Sequence, residues 1–115
     1  MIRSLNRAFI MGVVSDGHAI RYETVDDLEL CHFVVVVEIV DADRKPFYSF
    51  IPVDVGSPGY LREQGLQGGD EVLVDGQLVG DGDGVVLCAT EPVRIGRRGV
   101  ELPDWSAYDR QVTEP

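Results

Sequence analysis

From Leu5 to Val14 the chain reads LNRAFIMGVV. A two-residue period puts Leu5, Arg7, Phe9, Met11 and Val13 on one strand face and Asn6, Ala8, Ile10, Gly12 and Val14 on the other. This predicts a first strand, in which Gly12 marks a bulge or a close backbone approach that lets the strand bend. Ser15-Asp16-Gly17 then marks a turn. Ile20-Arg21-Tyr22 begins a second strand that continues through Leu30 to Val40, LCHFVVVVEIV, with β-branched residues on both faces. Apolarity on both faces predicts that both are covered.

Asp41 to Pro46 forms a charged turn, and Phe47 to Val55 suits a third strand in which Pro52, lacking an N–H, belongs at an edge or bulge. Ser57 and Pro58 read as the cap and first turn of a short helix that runs to about Gln64 and closes at Gly65. Glu71 to Val79 is a fourth strand, and the Gly80–Gly84 loop turns the chain into a fifth at Val85 to Ile95. An all-β chain of five strands, with one short helix between strands 3 and 4, has the element order of the OB-fold barrel. The expected domain spans residues 1–98. Residues 99–115, VELPDWSAYDRQVTEP after Gly99, lose the alternation and are expected to form an acidic, flexible C-terminal tail. A barrel has one packed interior, so the apolar outer side of the second strand points to homo-oligomerisation.

Charge narrows what such a barrel can bind. The 115 residues carry a formal charge of −10, and residues 1–98 hold 16 acidic and 9 basic residues, which leaves −7 on the body. That balance opposes nonspecific attraction to phosphate backbones, so any nucleic-acid groove must be locally basic. Cys31 and Cys88 lie in apolar runs with no further ligand at metal spacing, which predicts buried thiols, no metal and no cofactor. No membrane-length apolar run or secretion signal is visible, so the expected location is cytoplasmic.

Three segments resemble the bacterial single-stranded DNA-binding protein family over about residues 4–98. These are Asn6-Arg7 followed by an apolar run and Gly12, then Ile20-Arg21-Tyr22, and most specifically Gly69-Asp70-Glu71-Val72-Leu73-Val74-Asp75-Gly76-Gln77-Leu78 entering the fourth strand. The resemblance implies a nonenzymatic homo-oligomeric module that binds single-stranded DNA in replication, repair or recombination. In that family bases stack on aromatic rings while cations track the phosphates. Here Asp41 and Asp83 stand near two stacking positions, Val53 near a third, and Phe47 keeps its ring at a fourth. The hairpin arm at Gly80–Gly84 is short and acidic, and the chain closes on Val-Thr-Glu-Pro rather than the family's hydrophobic peptide.

The resemblance nominates Arg7, Arg21 and Arg94 for phosphate, beside the aromatic candidates Phe47, Tyr48 and Tyr22. The competing reading makes the arginines solvated surface and the rings core or oligomer contacts. Alternation puts Tyr48 and Phe50 on one face and Phe47 on the other. His18 and His32 have no nucleophile at catalytic spacing and read as structural, and Asp81 to Gly84 reads as a turn rather than a calcium loop. The alternative function is an OB-fold protein-interaction or assembly module without nucleic-acid binding, docking through its outer sheet or through the tail that holds Trp105 and Tyr108.

Overall fold

The inward halves of the alternating segments meet in one core. Val14, Cys31, Phe33, Val35, Val53, Val55, Val72, Val74 and Leu87 are all buried there, capped by Leu61 and Leu66. The computed structural model describes residues 4–40, 42–43, 46–80, 82–89 and 94–95. In chain order the elements are β1 (Ala8–Val14), β2 (Arg21–Val25), β3 (Leu28–Val40), β4 (Pro46–Gly56), α1 (Gly59–Gln64), β5 (Glu71–Gly80), β6 (Val85–Ala89) and β7 (Arg94–Ile95). Pairing runs β1–β3–β4–β6–β5 and returns from β5 to β1, which closes the sheet. This is the five-stranded OB-fold barrel, with β2 added outside the ring beside β3 and β7 continuing along β5.

The helix lies between β4 and β5 rather than after the third strand, because the expected second strand is two strands. Arg21–Val25 folds back on Leu28–Val40 through Asp26 and Asp27, whose φ values of 50° and 65° form a two-residue turn of mirror-image hand. The usual residues there are Asn-Gly or Asp-Gly, so the Asp-Asp pair concealed the hairpin. At the helix, Pro58 rather than Ser57 occupies the N-cap and makes no side-chain cap bond. Ser57 has a φ of 53° and lies one residue outside the expected frame. Gly65 closes the helix in the left-handed conformation as expected, φ 68° and ψ 53°.

Other local expectations follow the geometry. Pro52 sits one residue before β4 begins pairing with β6, where β4 has only β3 as a neighbour. Gly12 is a close approach: a Cβ there would lie 2.4 Å from the Val36 carbonyl oxygen, where β1 leaves β5 for β3. The expected fifth strand is present as β6 and β7. The proposed tail, with Trp105 and Tyr108, lies outside the described residues.

The outer apolarity of β3 is partly satisfied within the chain. Val36 points away from the core yet is only 4% exposed, beside its register partners Val13 and Phe50. The Phe50 ring in turn meets His18 at 5.9 Å between centroids. A different row stays open on β1, where Phe9 is 61% and Met11 71% exposed.

Candidate functional site

The loop from Ser15 to Ile20 decides the shape of the outer face. Ser15 donates its amide to the Val34 carbonyl at 2.8 Å, its hydroxyl accepts the Gly17 amide at 3.1 Å, and the hydroxyl lies 2.8 Å from His18 Nδ1. These bonds hold the loop above β3 and β4 and leave a groove of about 530 Å³. Arg21, His18, His32 and Asp54 supply its polar lining, and Val34, Pro52 and Val86 supply apolar lining. The register explains the row: Arg21 on β2 faces His32 on β3, His32 faces Asp54 on β4, and Asp54 faces Cys88 on β6.

His32 is clamped from both sides. Its Nδ1 lies 2.5 Å from Asp54 Oδ1 and its Nε2 lies 2.7 Å from Glu23 Oε1. Carboxylates accept and do not donate, so both bonds form only when both ring nitrogens carry protons, which is the imidazolium. Partial burial pulls the pKa of His32 down, but the bonds to Asp54 and Glu23 outweigh it and the net direction is up. Burial, with Asp54 nearby, also raises the pKa of Cys88 and keeps it a thiol. Among the described residues no group of His, Cys, Asp and Glu side chains is arranged to hold a metal.

A raised folded pKa fixes the sign of a stability effect. The contribution of His32 is complete below its unfolded pKa of about 6.5 and is lost as pH rises through the higher folded value. The melting temperature of the parent is therefore expected to fall between about pH 6.5 and the folded pKa, while His32→Asn, which cannot titrate, shows no such step. An unchanged step in the variant would show that His32 is not its source.

The candidate residues scatter among different surroundings. Arg21 is exposed at the groove and has no carboxylate partner among the described residues. Arg7 instead grips Asp75 through two bonds, Nε at 3.0 Å and Nη2 at 2.5 Å, which lower the pKa of that carboxyl. Its neighbour Asn6 exchanges two hydrogen bonds with the Leu78 backbone, at 2.8 and 2.9 Å. The Asn6-Arg7 pair thus fastens the start of β1 to β5. Tyr22 packs against the core beneath Arg62, whose guanidinium carbon lies 4.4 Å from the ring centroid. Arg62 also pairs with Glu29 and so ties α1 to the β2–β3 hairpin.

Tyr48 and Phe50 face outward on β4, opposite Glu38 and Val36, and are half-buried. Phe47 lies on the core-side face opposite Ile39, beyond the end of the barrel, and is 42% exposed. Val53 is fully buried, so the outward side chain beside it is Asp54. Arg94 pairs with Leu73 on β7, and its side chain lies outside what is described. The structure therefore unites Arg21 with His18, His32 and Asp54, a grouping that sequence spacing did not reveal. Only the register across β2, β3 and β4 brings Glu23, His32 and Asp54 together.

No protein-family model matches this chain, and no curated protein does. Solved structures do. The single-stranded DNA-binding protein from Thermus aquaticus aligns with a TM-score of 0.62 at 19% identity, over 89% of this chain and 45% of its own. This chain therefore spans less than half the length of that protein. The Plasmodium falciparum single-stranded DNA-binding protein in complex with single-stranded DNA aligns with a TM-score of 0.65 at 13% identity, over 84% of this chain and 99% of its own. PriB from Ralstonia solanacearum gives 0.61 at 11% identity over 81% and 100%. Likeness at these identities establishes the OB fold. Among the described residues no helix is long and apolar enough to cross a membrane.

Proposed function

We propose that this domain is a nonenzymatic single-stranded nucleic-acid-binding module that lays the strand along the outer face of β3 and β4. The observation that supports it is the groove itself, which sets the Arg21 cation, without an ion-pair partner among the described residues, beside an apolar surface on the face that also presents Tyr48. In this reading Arg21 takes phosphate and Tyr48 offers a ring to a base. The shared fold of proteins described as single-stranded DNA-binding agrees with it. Action as a homo-oligomer in replication, repair or recombination extends the same reading, because several grooves on one strand offset a weak single site.

Fluorescence anisotropy of a labelled mixed-sequence oligonucleotide tests it. Binding is expected at low salt and is expected to weaken as salt rises, with log K falling by about 0.7 per decade of salt for each phosphate neutralised. Tyr48→Ala is expected to cost about 1–3 kcal/mol of binding if the ring stacks. No binding by the folded protein at low salt would reject the proposal. It would favour protein docking, for which Leu5, Phe9 and Met11, 92%, 61% and 71% exposed, are the supporting observation.

A further inference from the structure

We infer that the groove reads the base edge of the bound strand and that Asp54 makes guanine its preferred occupant. The inference rests on the proposed nucleic-acid binding and goes beyond it, to which base is chosen.

A carboxylate in a groove that takes a polyanion needs a reason to be there. Asp54 is one of the groove's lining residues, and its side chain is 36% exposed. Oδ1 accepts the His32 Nδ1 proton at 2.5 Å, and Oδ2 accepts no hydrogen bond from a described residue. An ionised carboxyl is an acceptor with about four lone-pair sites, so Asp54 retains capacity for donors. Phosphates carry none at neutral pH, and the donors of a DNA strand are the N–H groups of its bases.

The four bases differ in how they meet a carboxylate. Guanine presents N1–H and N2–H side by side on its Watson–Crick edge, which matches both oxygens of one carboxylate. Adenine and cytosine each present a single amino group beside an acceptor nitrogen. Thymine presents N3–H between two carbonyl oxygens, and both repel the carboxylate. Single strands expose these edges, so the difference is available to be read.

The rest of the groove suits the same occupant. Val34, Pro52 and Val86 offer apolar surface, and Arg21, across His32 in the row, is placed for a neighbouring phosphate. A volume of about 530 Å³ lies within the range of about 300–1,000 Å³ typical of small-ligand sites. In this arrangement Asp54 touches the base, and His32 is a positioning residue that fixes the carboxylate.

The test compares labelled oligothymidine with the same strand carrying isolated guanines, adenines or cytosines, at one pH and one low salt. The guanine strand is expected to bind about tenfold tighter than oligothymidine, with the others between. Asp54→Asn keeps the shape and the acceptor for His32 and is expected to level the series. Should that variant not fold, amide shifts of His32 and Asp54 in the parent that are larger at saturation with the guanine strand than with oligothymidine carry the same information. Equal binding of all four strands, or a preference that survives in Asp54→Asn, overturns the inference and leaves the proposed function standing. Absence of binding by every strand overturns both. Free GMP is expected to compete poorly with the strand; competition at equal concentration would make this a mononucleotide site and overturn strand reading.

Discussion

Gly76→Ala is expected to unfold at a much lower denaturant concentration than the parent, although it adds one methyl group. Gly76 is the residue at which β5 changes neighbours, pairing with Ala8 on β1 and with Ala89 on β6. A Cβ there would lie 2.2 Å from the Cys88 carbonyl oxygen and 2.8 Å from the Ala89 Cα. Both obstacles are backbone atoms, so no side-chain rotation relieves them and β6 must move away from β5. Overpacking of this kind costs about 1–3 kcal/mol and more where the backbone is displaced, against a total stability of about 5–15 kcal/mol. Gly59→Ala is the matched control: a Cβ there meets nothing within 4 Å, and alanine favours the helix it begins. Urea midpoints of the two variants decide the matter. Equal midpoints would show that the barrel does not close as tightly at Gly76 as its geometry states.

Arg21→Glu is expected to abolish most single-strand binding while leaving the barrel folded. The side chain is exposed and makes no ion pair among the described residues, so folding does not depend on it. In the groove, however, the reversal places a third carboxylate beside Asp54 and Glu23 and within a chain already at −10. Loss of one phosphate contact lowers the slope of log K against log salt by about 0.7. Affinity at low salt is expected to drop by well over tenfold, and Arg21→Gln, which removes the charge without inverting it, should fall between parent and Arg21→Glu. Retention of parental affinity and salt slope in Arg21→Glu would place the strand elsewhere on the barrel. Circular dichroism of the same samples separates that result from misfolding.

The assignment of Ala8, Ile10, Gly12 and Val14 to one face held because a two-residue period and a single core leave one register that buries them. The opposition of Phe47 to Tyr48 and Phe50 was legible for the same reason. Which of the two faces met the core was not, since either contains aromatic rings. Only pairing with Ile39 and Glu38 decided it, and the same frame put Val53 inside and Asp54 outside. The turn at Asp26-Asp27 escaped because both residues adopt positive φ without the glycine that advertises it.

Arg7 shows the limit of carrying a role from a resemblance. Its place in the motif was visible, but its guanidinium grips Asp75, 68 residues further along the chain, and so serves the closure of β1 on β5. The His32 clamp shows the same limit. Glu23, His32 and Asp54 belong to three strands, and no spacing rule joins them until the β2–β3 and β3–β4 registers are known.

The sequence by itself determined the all-β class, the alternation along β1 and β4, the presence of a helix closed by Gly65 and the acidic balance, because period, turn chemistry and charge are properties of neighbouring residues. The tertiary structure alone decided that the ring closes between β1 and β5, that Arg7 is paired while Arg21 is open, and that two carboxylates grip one imidazole. Those are contacts between residues far apart in the chain, and their energies exist only once the register brings the groups within bonding distance.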